Sequence, residues 1–149
     1  MKTLFEKKDY EDIMSRLEKL SPSNQRQWGT MDLPQMLAHC NEAIKMPLDH
    51  TKQPRKLISY LIGGMIKKTV VSPKPYKQGL PTAPDFVITN QREFEKEKQI
   101  LISLVKRFHE AGEKGMTPHA HPFFGKMTPQ EWGCSQYKHL DHHFRQFSA

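Results

Sequence analysis

The stretch from Thr128 to Phe147 constrains the fold of this chain more than any other, because it signals a helix start and then keeps one face apolar. Thr128 can cap, Pro129 takes the first helical position and Glu131 completes a capping box. Met127, just before the cap, is placed to staple onto Trp132. Beyond this start, Trp132, Gln136, His139, Leu140, His143, Phe144 and Phe147 recur at three- and four-residue steps and trace one inward face. Such a stripe has to be buried against another element. No β-alternation of comparable length appears anywhere in the sequence, so its partners are expected to be helices.

Three further stretches have the same period. The first runs from about Asp9 to Leu20, with Asp9 able to cap and Ile13, Leu17 and Leu20 along one face. The second begins near Asp32 with Pro34 in its first turn, repeats Leu33, Met36, Leu37, Cys40, Ala43 and Ile44, and is ended or kinked by Pro47. The third starts around Asn90, where Asn90 and Glu93 match a capping box, turns Phe94, Leu101, Leu104, Val105 and Phe108 inward, and closes at Gly112. Between Asp49 and Thr89 lies a long connection with a short apolar helix near Leu57 to Ile66, followed by Pro73, Pro75, Pro81 and Pro84. Gly115 to Lys126 reads as an irregular loop. The expected architecture is all-α, a four-helix bundle containing a crossover.

The 149 residues suit one domain spanning the whole chain, and 36% hydrophobic with 26% charged residues argues against wholesale disorder. The longest apolar run, Leu57 to Ile66, is far short of the roughly 20 residues of a membrane span. Met1 to Asp12 is charged throughout and has no signal-peptide core, so a cytoplasmic location is expected. The two cysteines, Cys40 and Cys134, exclude a disulfide framework. The formal charge of +7 is concentrated: Thr51 to Pro84 carries Lys52, Arg55, Lys56, Lys67, Lys68, Lys74 and Lys77 and no acid. Such a segment is either a solvated basic connection or a surface for phosphates or anionic lipid heads.

Chemistry is concentrated in the histidines. His139 and His143 stand one helical repeat apart, about 40° around the axis, so both imidazoles can converge on one ion. His142 is rotated roughly 60° from His139 and about 100° from His143, which excludes it from that cluster. His39, on the second helix, sits at the inner margin beside Met36, Cys40 and Ala43 and can meet the pair. Three neutral imidazoles with an open position suit zinc, nickel or iron(II). Taken singly, each histidine is as well explained as a satisfied side chain. Taken together, two histidines on one apolar face without a common partner would leave several desolvated nitrogens. Glu42 is a candidate to orient His39 and otherwise a solvated carboxylate. His121, before the last helix, is a candidate catalytic acid or base, or else stabilises the turn beside Pro122. Cys40 and Cys134 read as buried thiols, and Trp132 as core.

The runs WGTMDLPQMLAHC (Trp28 to Cys40), HPFFGKMTPQEWG (His121 to Gly133) and YKHLDHHFRQF (Tyr137 to Phe147) resemble the DinB/YfiT-like bundle proteins, specifically a subfamily of unassigned role. The resemblance spans nearly the whole chain. It implies a divalent metal held by one histidine of the second helix and an HxxxH pair of the last, here His39, His139 and His143. It further implies a thiol-dependent transferase or a metal-dependent hydrolase acting on a small molecule, with a low-molecular-weight thiol as a possible partner and a homodimer as the assembly. The sequence departs from the family after the final ligand: Phe144, Arg145 and Gln146 stand where relatives carry Arg-Gly-Gln.

Three functions are therefore expected to compete. The first is a metalloenzyme in which the ion lowers the pKa of a bound thiol or water. The second is a non-enzymatic module whose metal fastens two helices. The third, binding of nucleic acid or an anionic membrane through the basic connection, is poorly provided with stacking aromatics, since only Tyr60 and Tyr76 interleave with the charges.

Overall fold

The computed structural model describes the whole chain except Thr51, Pro81, Ala83 and the side chain of Asp85. Pro81, one of the prolines expected to break the connection, and Thr51, the first residue of the acid-free segment, therefore lie outside the described residues. Five α-helices are present and no strand occurs among the described residues: α1 (Lys7–Lys19), α2 (Leu33–Leu48), α3 (Ser59–Val70), α4 (Phe94–Ala111) and α5 (Pro129–Gln146). No helix among them is long and apolar enough to cross a membrane.

The ends of the helices follow their capping chemistry. At α5 the Thr128 hydroxyl accepts from the Glu131 amide at 3.2 Å while the Glu131 carboxylate accepts from the Thr128 amide at 2.7 Å. At α2, Asp32 and Gln35 exchange the equivalent pair of bonds at 2.8 and 3.0 Å. Pro47 does not break α2, which runs one residue further to Leu48. Two expected caps are not used. α1 begins at Lys7, two residues before Asp9, and the Asp9 carboxylate instead accepts from the Thr3 amide, tying down the N-terminal segment. α4 begins at Phe94 with Glu93 at its N-cap and no side-chain cap, while Asn90 is occupied locally by Arg92. The backbone at Gly112 turns to φ +59° and closes α4.

Packing runs in a ring: α2 lies on α4, α4 on α1, α1 on α5 and α5 on α2. One hydrophobic cluster fills the centre, with Ile13, Leu17, Leu37, Cys40, Ile44, Leu101, Val105, Phe108, Leu140 and Phe144 fully buried. Burying each large apolar side chain contributes about 1.5–3 kcal/mol before entropy. The α3 helix contributes nothing to this cluster.

Helix α5 is covered round most of its circumference. Thr3 and Phe5 close over Gly133, where an added Cβ would lie 2.2 Å from the Thr3 hydroxyl. On another side, Lys138 donates to the carbonyls of Thr69 and Ser72, so a buried ammonium anchors the C-terminal end of α3 to α5. At its C-terminal end, the Gln27 amide donates to the Gln146 carbonyl at 2.8 Å.

Candidate metal centre

His39 projects from the middle of α2, and His139 and His143 from successive turns of α5, so the α2–α5 contact brings all three together. Their ring centroids lie 4.7 to 4.9 Å apart in every pairing. One nitrogen from each falls within 4.8 Å of the others, forming a three-histidine group that can hold a metal ion. The closest approach is between the Nε2 atoms of His39 and His139, at 2.9 Å.

Hydrogen bonding fixes which nitrogens face inward. The Nδ1 of His39 lies 2.9 Å from the Phe86 carbonyl oxygen, which can only accept, so Nδ1 carries the proton and Nε2 keeps its lone pair. The same logic runs through Gln146. Its Nε2 lies 2.7 Å from the Trp28 carbonyl and must be the amide's donor end, which leaves Oε1 to accept from His143 Nδ1 at 2.8 Å. His143 is thereby also held as the Nδ1–H tautomer with its Nε2 lone pair free. Both supports have the form in which metal-binding imidazoles are usually oriented. Gly29 makes the second one possible: at φ +82° a Cβ would stand 2.5 Å from the Gln146 amide nitrogen.

His139 completes the set differently. It keeps some accessible surface, yet its Nδ1 is buried without a hydrogen-bond partner. Burial, reinforced by the neighbouring imidazoles of His143, His39 and His142, drives its pKa well below the ordinary histidine value. Burial likewise lowers His39, and takes His143 down to about 3. All three rings are therefore neutral at physiological pH, the state that donates a lone pair to a cation. Donors around one tetrahedral zinc stand about 3.3 Å apart. The 2.9 Å pair is a little tighter than that and the 4.8 Å limit a little wider, so the residues fit one ion with small side-chain adjustments.

The other expected residues lie elsewhere. His142 is not part of the group; its ring sits 5.7 Å from Trp28 and 5.6 Å from Tyr76. Glu42 pairs with Lys45 at 2.7 Å, and the orienting role considered for it belongs to the Phe86 carbonyl. His121 is buried in the turn before α5: its Nδ1 accepts from the Phe123 and Phe124 amides, and its ring stacks on Phe124 with centroids 4.0 Å apart. Burial lowers its pKa to about 3. With Nδ1 committed, only Nε2–H is left for chemistry. Cys40 and Cys134 are free, buried thiols whose pKa burial raises. The supports at Phe86 and Gln146 were not singled out from sequence. A backbone carbonyl leaves no mark in a sequence, whereas Gln146 was signalled by its i,i+3 spacing from His143.

A cleft of about 330 Å³ runs alongside, lined by Glu42, Lys45, Met46, Phe86, Pro122 and Phe123. It touches the support of His39 and none of the three histidines.

Comparison with known proteins returned no match among curated proteins and none among solved structures. One family model matches residues 3–149, nearly the full chain. On that match the chain belongs to the family described as "Protein of unknown function (DUF1569)".

Proposed function

We propose that the protein is a metal-dependent enzyme whose divalent ion is held by His39, His139 and His143 in a four-helix bundle of the DinB/YfiT-like type. The observation that carries this reading is the fixed tautomer of two of the three imidazoles, each with Nδ1–H bonded outward and a bare Nε2 directed at a common centre. A single structural histidine needs no such arrangement, whereas the bare Nε2 of His39, 2.9 Å from the Nε2 of His139, is repelled by it unless a proton or a cation lies between them. The ring of α1, α4, α2 and α5, with α3 on the connection between the second and third members, supports the bundle assignment.

A bound ion would supply Lewis acidity, lowering the pKa of a water or thiol that approaches it. The chain's own groups set the conditions for that chemistry. Phe86 and Gln146 hold two rings in one orientation, and burial keeps all three unprotonated. Zinc and nickel suit three imidazoles best, with iron(II) also compatible. Three protein ligands leave a coordination position for a small-molecule substrate, with low-molecular-weight thiols the first class to try. His121 enters this reading only as a hydrogen-bond donor through Nε2.

A second reading has an observation of its own. The cleft beside Phe86 is not lined by any of the three histidines, which favours an ion that fastens α2 to α5 and takes no substrate. Cobalt(II)-loaded protein separates the two. Adding a low-molecular-weight thiol is expected to produce a sulfur-to-cobalt charge-transfer band if the open position accepts substrate. A spectrum unchanged by thiols and by other small nucleophiles would leave the fastening role in its place.

A further inference from the structure

Helix α3 is turned inside out. The residues it presents to the protein are Ser59, Gly63 and Val70, which are buried, and Lys67, which is half-buried. Gly63 is in such close contact that a Cβ would stand 2.3 Å from the Phe123 carbonyl oxygen. Lys67 pairs with Glu131 at 2.8 Å and donates to the Lys126 carbonyl. Apart from Val70, the apolar side chains of α3 and of the two residues before it point the other way: Leu57, Leu61 and Met65 are 87%, 82% and 69% exposed, Ile58 and Tyr60 are exposed with them, and Ile62 and Ile66 are 38% and 37% exposed. Leu57, Leu61 and Met65 follow at four-residue steps, with Ile58, Ile62 and Ile66 on the adjoining row, so the exposed groups form one continuous face. A contiguous apolar face of this size on a protein surface marks an interaction site.

Charge identifies the occupant. Between residues 51 and 84 the chain carries seven basic residues and no acid. Lys52 precedes the apolar face and Lys68, Lys74 and Lys77 follow it, all four exposed. A second copy docking through the same face would bring these positive charges against one another, which disfavours a symmetric dimer. A base-stacking surface is also poorly provided, because Tyr60, the one aromatic of the face, is overlaid by Arg55 at 4.1 Å. An apolar helix face bordered by lysines, too short to span a bilayer at 12 residues, is the composition of a helix that lies in the plane of an anionic membrane surface.

We propose that α3 is a membrane-docking helix, in which Leu57, Leu61 and Met65 enter the headgroup–acyl boundary of an anionic bilayer while the flanking lysines contact its phosphates. The proposal is independent of the metal centre. The full chain is to be sedimented with vesicles of phosphatidylcholine alone and of phosphatidylcholine with roughly 30% phosphatidylglycerol, at low and high salt. At low salt the anionic vesicles are expected to bind at least about ten-fold more protein than the neutral ones, with the difference shrinking as salt rises. Leu61→Asp with Met65→Asp is expected to lower binding more than about ten-fold, and Lys68→Glu about five-fold or more. These positions are exposed, so unchanged far-UV circular dichroism serves as the folding control. Equal binding to both vesicle types, or none, overturns the proposal. So does a concentration-dependent dimer that Leu61→Asp abolishes, which assigns the face to a second copy, or salt-sensitive nucleic-acid binding in the absence of any vesicle binding.

Discussion

Replacing Gln146 by leucine removes no ligand and leaves the size of the buried side chain nearly unchanged, so its effect isolates what the amide does. Gln146 is 4% exposed and makes two bonds, accepting from His143 Nδ1 at 2.8 Å and donating to the Trp28 carbonyl at 2.7 Å. In the variant the His143 Nδ1–H is left buried and unpaired, at about 1–3 kcal/mol, and the half-buried Trp28 carbonyl loses its donor. For a chain of this size that lowers the melting temperature by on the order of 10 °C. The proton of His143 is then no longer held on Nδ1 and can move to Nε2, where it competes with the cation. Loss of such an orienting partner reduces metal affinity about 10- to 100-fold, equivalent to roughly 1.4–2.7 kcal/mol. The assay is zinc titration against a competing chelator on protein shown to be folded. Gln146→Glu provides the control, since a carboxylate still accepts from His143 Nδ1 but faces the Trp28 carbonyl with no donor. It is expected to keep metal affinity while losing stability. A folded Gln146→Leu protein that binds zinc within about two-fold of wild type would refute the tautomer argument.

The stability of the metal-free protein should fall with acid in a window set by the buried histidines. Burial depresses their folded-state pKa, to about 3 for His121 and His143, so the unfolded chain takes up protons below its ordinary value near 6.5 that the folded chain refuses. Their contribution is complete above about pH 6.5 and declines toward pH 3, by at most about 1.4 kcal/mol per pH unit for each group. His121→Asn, which can still accept from the Phe123 and Phe124 amides, should show a shallower decline by one proton's slope in urea titrations at stepped pH. Thr128→Ala removes the α5 cap and should cost about 1 kcal/mol in the same titrations. Gly63→Ala forces α3 away from the Phe123 carbonyl, so hydrogen exchange should speed up across residues 59–70. Global stability should change by less than about 1 kcal/mol, because α3 supplies nothing to the core cluster.

The sequence was most informative where one residue type determines the local geometry. Thr128, Pro129 and Glu131 define the start of α5, and the four-residue step from His139 to His143 sets both rings on one side of it. Asp32 starts α2 in the same way. At α4 the Asn90 motif competed with Glu93 three residues on, and the later start won without any side-chain cap. For α3 the periodicity does not settle which face is buried, since Gly63 and Lys67 are held by Phe123 and Lys126 of the loop before α5 and by Glu131 in its first turn. The Phe86 carbonyl was out of reach for a similar reason: a support formed by the backbone of the long connection depends on where that connection passes.

The account rests on His39, His139 and His143 sharing one ion, and metal content tests this most directly. Untagged protein, purified without chelators, should contain about one divalent ion per chain by elemental mass spectrometry. The double variant His139→Ala/His143→Ala should lose that ion while keeping its helical circular dichroism. Wild-type protein free of stoichiometric metal that also fails to take up zinc, nickel or iron(II), or a double variant that retains the ion, would contradict the account.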